Sequence, residues 1–140
     1  MRAERSGTVL LVEDDAAQRR TLAGFLSKRG YEVVEAGKAS LAVERAATAD
    51  VDVLLTDLKL GGPDGIELLV ELRGRFPELQ AIVLTAYGTI DDAVRAMRAG
   101  AYDFVSKPID LGHLEAVLEK ALEKAALARE NRELREVVRN

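Results

Sequence analysis

Cysteine and tryptophan are absent from this 140-residue chain, and histidine occurs once, at His113. Without cysteine there are no disulfides and no thiol chemistry, and a reducing cytoplasm is the expected setting. A lone histidine with no thiol beside it does not make a transition-metal site of the His/Cys kind. Long apolar runs are missing as well. None approaches the roughly 20 residues that cross a bilayer, and Met1–Thr8 lacks the apolar core of a signal peptide, so no membrane partner is expected. Positive charge is outnumbered: 20 Lys and Arg against 24 Asp and Glu give a net charge of −4, and aromatic residues make up only 4%. With no basic stripe and few stacking platforms, direct nucleic-acid binding by this chain is not expected. Any action on DNA would pass through something attached to it.

What is present fits one soluble domain with a core large enough to need no staples. Two kinds of segment alternate. Residues 8–12, 51–56 and 80–85 are short, β-branched apolar runs, and residues 31–35 and 102–105 read as two further strands. Between them, residues 15–29, 38–47, 66–76 and 90–99 carry helical spacing; Gly30 closes the first, Pro77 follows the third and Gly100 ends the fourth. A last helix begins near Asp110. Strand and helix in this alternation imply an α/β fold, a parallel sheet covered by helices on both faces. Right-handed crossovers place the strand C-terminal ends along one edge, where ligands bind at the point of strand-order reversal.

The residues following each strand therefore carry the functional reading. They are Glu13, Asp14 and Asp15 after the first strand, Asp57 after the third, Thr85 and Ala86 at the fourth, and Ser106, Lys107 and Pro108 after the fifth. Carboxylates, a hydroxyl and an ammonium would converge on one edge. Crowded carboxylates resist joint ionisation unless a cation sits between them. Oxygen ligands alone favour a hard ion such as Mg²⁺, with Mn²⁺ as a substitute. An Asp carboxylate is a phosphoryl acceptor, Lys107 can balance a phosphoryl group's charge, and Thr85 can donate a hydrogen bond to one of its oxygens. Each residue also has an ordinary alternative. Asp14 and Asp15 could cap a helix, Asp57 could form a turn, Thr85 suits any strand, and Lys107 could be a solvated charge. Their coincidence at a single edge favours the functional reading.

Val12-Glu-Asp-Asp15, Thr56-Asp57, Asp64-Gly65, Thr85-Ala86 and Lys107-Pro108, in this order and spacing, resemble the receiver domain of two-component response regulators. The resemblance runs from Thr8 to the final helix. It implies a flavodoxin-like, doubly wound five-stranded sheet in the order 2-1-3-4-5. It further implies that Asp57 is the phosphoacceptor, served by a sensor histidine kinase, and that the domain catalyses only its own phosphotransfer and autodephosphorylation. Asp14 and Asp15 look like the acid pair that holds Mg²⁺ with Asp57, Asp15 directly and Asp14 through water, with the backbone carbonyl of Lys59 as a further ligand. Thr85, Ala86 and Lys107 look like the phosphate-binding residues. Phe104 occupies the switch-aromatic position that moves with Thr85, and the Lys107–Pro108 bond is similar to the family's cis peptide. The stretch from Thr85 to Pro108 is similar to receivers of sigma-54-dependent, NtrC-type transcriptional activators, which carry an ATPase and a DNA-binding output domain downstream. Both a fragment of such a protein and a free-standing receiver fit this sequence. One departure stands out: in Leu60-Gly-Gly-Pro-Asp64, Gly61 replaces the family's usual proline, which bears on loop geometry and dephosphorylation. Lys59 and Tyr87 occupy positions that tune phosphoryl lifetime in the family.

The division expected is an N-terminal tail (1–7), a receiver (8–125) and a helical extension (126–140). In the extension, Leu127, Asn131, Leu134 and Val138 are spaced by alternating fours and threes. This is a coiled-coil seam about two heptads long, with Asn131 placed to fix register, and it points to a parallel homodimer. A solvated helical linker is the plainer alternative, because two heptads are marginal alone. His113, near the start of the last helix, is expected at the surface. Two other functions were weighed. A small-molecule phosphohydrolase of the haloacid-dehalogenase type would need an Asp-x-Asp pattern after the first strand, and Asp57-Leu-Lys59 does not supply one. A phosphorylation-independent dimerisation module would have no use for the full set of acceptor-site residues.

Overall fold

The computed structural model describes residues 7–61, 64–86 and 89–139. Residues 1–6 of the expected tail, the Gly62-Pro63 part of the acceptor loop and Tyr87 lie outside them. The elements are β1 (Thr8–Val12), α1 (Ala16–Lys28), β2 (Glu32–Ala36), α2 (Ala39–Thr48), β3 (Val53–Asp57), α3 (Gly65–Arg75), β4 (Gln80–Thr85), α4 (Ile90–Arg98), β5 (Asp103–Ser106) and α5 (Leu111–Arg139). All strands pair in parallel in the order β2-β1-β3-β4-β5, the expected flavodoxin-like topology.

Alternate side chains of each strand point to opposite faces, so one sheet feeds two cores. On one face, Leu10, Val12, Leu54, Ala81 and Val83 pack against Ala42 and Ala46 of α2, Leu69 and Leu72 of α3, and Ala96 of α4. On the other, Val9, Leu11, Val53, Leu55, Ile82 and Leu84 meet Leu22 and Leu26 of α1 and Leu114, Leu118 and Ala121 of α5. This double burial is why β1, β3 and β4 read as unbroken apolar runs. The outer strand β2, Glu-Val-Val-Glu-Ala, mixes charged and apolar residues because it is only partly covered.

Element ends differ from expectation by one or two residues, for local reasons. Tyr31 falls outside β2 because its amide donates to Leu26 O at 3.2 Å, completing a turn through Gly30 at φ +96°. Val51 falls outside β3 because its amide is used by Ala49 O at 3.1 Å. Among the described residues no helix is long and apolar enough to cross a membrane.

Candidate functional site

The chain leaves β1 toward β2 on one side and returns to β3 on the other, so strand order reverses between β1 and β3. Glu13 and Asp14 follow β1 directly, and Asp57 is the last residue of β3. Local chemistry fixes both turns. Asp15 is the N-cap of α1, its carboxylate accepting from the Gln18 amide at 3.0 Å. Arg19, one turn into α1, donates to the Glu13 carbonyl at 2.7 Å and pairs with Glu35 at 3.4 Å. Asp64 caps α3 in a capping box with Glu67. At Gly65 the backbone passes so close to the Asp57 carbonyl oxygen that a Cβ there would collide with it, while the Gly65 amide donates to Leu58 O at 2.7 Å. The Asp64-Gly65 pair thus presses the start of α3 against the strand end that carries Asp57.

Carboxylate oxygens of Glu13, Asp14 and Asp57 all lie within 4.8 Å of one another. Asp15, expected to be the direct metal ligand, is not in this group; its carboxylate is turned to the helix cap. Glu13, which the sequence reading left without a role, takes the place beside Asp14. It is 4% exposed, and its second oxygen accepts from the Asp15 amide at 3.1 Å. Lys107, after β5, joins the acids: its Nζ lies 3.2 Å from Asp57 Oδ1 and 3.3 Å from Glu13 Oε1, and reaches Gln18 Oε1 at 3.4 Å. The Lys107 amide donates to the Thr85 carbonyl at 2.8 Å, and the Lys107–Pro108 bond is cis. Thr85 itself is 1% exposed at the end of β4. Ala86 follows it at the surface, its carbonyl accepting from Thr89 Oγ at 2.7 Å. Lys59 is exposed two residues beyond Asp57.

Three acids face one ammonium, and the electrostatics show it. Burial pushes the Asp57 carboxyl above its ordinary range; Lys107 pulls it back only in part, and Asp14 adds to the rise. Glu13 is raised likewise, chiefly by burial, against the opposing pull of the Asp15 amide. Burial alone would lower Lys107, yet Asp57 and Glu13 together hold its ammonium above the ordinary value. Such a group of carboxylates could hold a divalent cation. The donors fit Mg²⁺: all are hard oxygens, and no soft ligand is near, since the only histidine, His113, lies exposed on α5.

Phe104 is half-buried on β5, beside an apolar groove of about 360 Å³ lined with Ile90, Val94 and Met97 of α4. In the extension, Leu127, Leu134 and Val138 are 60, 57 and 86% exposed, and Asn131 is exposed between them. These seam residues share α5 with the sheet-facing residues but stand apart from the acidic site.

Residues 9–119 match the family described as the response regulator receiver domain. The transcriptional regulatory protein ZraR of Escherichia coli is 35% identical over 114 residues, 81% of this chain and 26% of its own. The nitrogen assimilation regulatory protein NtrX of Azorhizobium caulinodans is 34% identical over 131 residues, 92% of this chain and 29% of its own. A crystal structure of NtrX from Brucella abortus superposes with a TM-score of 0.86 at 36% identity, covering 93% of this chain and 30% of that one. The relatives are of the NtrC type, and the chain spans between a quarter and a third of their length. With its sheet order and most of its length in agreement, the chain belongs to the response regulator receiver domain family.

Proposed function

We propose that this receiver is a phosphoacceptor switch in which Asp57 takes a phosphoryl group from the phosphohistidine of a sensor histidine kinase. The observation that carries the reading is the Asp57 carboxylate, held at a strand end 3.2 Å from Lys107 and grouped with Glu13 and Asp14. An Asp57 oxygen attacks phosphorus, the P–N bond breaks, and its electron pair returns to the imidazole. Lys107 then meets a phosphoryl oxygen in place of its present carboxylate partner, and Thr85 and the Ala86 backbone bind the remaining oxygens. Glu13, Asp14 and Asp57 would hold Mg²⁺ or Mn²⁺, with the Lys59 carbonyl as a further donor, and the bound ion supplies positive charge against the carboxylates and phosphoryl oxygens. The residues' own share is positioning: the capped starts of α1 and α3 and the Gly65 contact fix the acids before any ligand arrives. Loss of the phosphoryl group by hydrolysis at the same site resets the switch.

Drawing Thr85 toward the phosphoryl group opens space beside Phe104, whose ring turns inward and reshapes the face of α4, β5 and α5. That face relays the state to dimerisation through Leu127, Asn131, Leu134 and Val138, or to an output domain in transcription regulation, as the NtrC-type relatives suggest. The dimer exists before phosphorylation and is rearranged by it, since the seam is separate from the site. Light scattering with and without a phosphate mimic tests this, and an unmodified monomer at micromolar concentration would refute it.

The phosphotransfer reading is tested by intact mass after incubation with acetyl phosphate and Mg²⁺. A single phosphoryl adduct is expected, absent in Asp57→Ala and absent without the metal. An adduct that survives Asp57→Ala would place the acceptor elsewhere.

A further inference from the structure

At the edge of the sheet opposite Asp57, α5 is tied to the domain by its own arginines. Arg129 reaches Asp52 Oδ1 through Nη1 and Asp50 Oδ1 through Nη2, each at 2.8 Å, and Nη2 also approaches the Val51 carbonyl at 3.5 Å. Asp52 is a fixed anchor: its other oxygen accepts from the Thr8 amide at 2.8 Å, where β1 begins. One turn further, Arg132 pairs with Glu78, in the connection between α3 and β4, at 3.1 Å. These contacts lie beyond Ala125, the last buried residue of α5, where the helix has no fully buried side chain yet remains beside the body.

We infer that Arg129 and Arg132 form a strap that fixes the direction of the helical extension, so that receiver and arm turn as one rigid unit. A helix advances about 100° per residue, which places Leu127, Asn131, Leu134 and Val138 between about 140° and 200° round the axis from Arg129. The strap therefore holds one side of the arm while the seam is presented on the other. A second copy can occupy the seam without displacing the strap, and each receiver is then held at a set angle outside the paired helices. Electrostatic contacts suit this position: a bidentate guanidinium resists rotation, which one apolar contact on an exposed helix would not. The inference adds to the seam proposed above but does not rest on it.

Hydrogen exchange on the whole chain tests the strap, read in a Leu134→Glu background where seam pairing cannot protect the arm. Arg129→Gln with Arg132→Gln should speed exchange of amides 128–136 by roughly fivefold, the scale of partly exposed ion pairs, and leave those of 114–121 unchanged. Asp50→Asn with Asp52→Asn weakens the Arg129 contacts from the other side while Arg132–Glu78 remains, and should give a smaller loss over the same amides. Unchanged exchange in both variants would overturn the strap. So would a loss confined to the aspartate variant and spread over the whole chain, because Asp52 would then serve only the Thr8 amide.

Discussion

The two edges of the sheet use charged side chains to opposite ends. At the base, Arg129 faces Asp50 and Asp52, Arg132 faces Glu78, and Asp52 is further satisfied by a backbone amide. At the carboxyl edge, Glu13, Asp14 and Asp57 share one lysine, and burial raises the two acids nearest it. At the base two arginines serve three acids, one of them completed by an amide, and hold parts together; at the carboxyl edge three acids, two of them raised by burial, share a single ammonium. The difference lies in stoichiometry and burial as well as in the choice of arginine or lysine.

The largest effect expected from disturbing this contrast is kinetic. Lys107→Met removes the cation that bridges the Asp57 and Glu13 carboxylates. Phosphorylation by acetyl phosphate, followed by intact mass, should slow about a hundredfold, the usual loss when one preorganised charge is removed from a reacting centre. Arg132→Gln, the parallel change at the base, should leave that rate unaltered. Next in size is Gly65→Ala. Its Cβ would strike the Asp57 carbonyl oxygen and approach Leu58 Cα to 3.1 Å, both backbone and unable to rotate away. Urea unfolding should show a loss of about 2 kcal/mol, in the range of overpacked sites. A loss under a few tenths would mean that α3 can slide off the strand end.

The sharpest form of the comparison is one chemical change made at both edges. Asp52→Asn breaks charge-assisted hydrogen bonds to the Thr8 amide and Arg129 and should destabilise by about 2 kcal/mol. Asp57→Asn removes a buried charge from a cluster of three acids around one lysine and should stabilise the chain in metal-free buffer at neutral pH. The second effect carries a pH signature. The folded chain holds the Asp57 proton more tightly than the unfolded chain does, because burial raises that carboxyl. Stability contributed by its neutral form is full below the ordinary carboxylate range, near about pH 4, and is lost as pH rises through the raised folded value. The advantage of Asp57→Asn should therefore be nil in acid and grow toward neutrality, and Mg²⁺ should cancel it by stabilising the wild type alone. Effects of the same sign would mean that the two edges are electrostatically alike.

Much of this was open to sequence reading, and the limits fall where the physics turns long-range. β1, β3 and β4 were legible because burial on both faces makes continuous apolar runs, and Asp57, Thr85 and Lys107 were legible because each ends or follows a strand. Which acids of Glu13-Asp-Asp15 cluster was not. Three consecutive carboxylates look alike in a string, and only the Asp15–Gln18 cap bond decides that Asp15 turns away while Glu13 turns in. The signal was available in part: Asp15 immediately precedes a helix, where a cap is expected. The strap had no such signal. Asp52 and Arg129 are far apart in the chain, and nothing local to either marks the other.

Between the two edges lies a contact of mixed character, which sets the lower limit of the comparison. Arg95 of α4 reaches Asp64 at 3.2 Å, close to the acceptor loop, and also Asp92 of its own helix at 3.4 Å. Asp64 has a second partner on its other oxygen: Oδ1 accepts from the Glu67 amide at 2.9 Å, while Arg95 reaches Oδ2. Both partners are partly exposed, so Coulomb attraction is screened and the ordering of a long side chain offsets it. Arg95→Ala should move the urea midpoint by less than about 0.5 kcal/mol, a difference that disappears near about 1 M salt. Asp64→Ala should lose about 1 kcal/mol at any salt, because a helix cap is a short-range bond. Were Arg95→Ala to match Asp64→Ala, the bridge would belong with the base, as a matched pair that holds α4 to the acceptor loop. Were it to fall as expected, α4 would be held near the site by little more than its apolar contacts, in keeping with the proposed movement of Thr85 and Phe104.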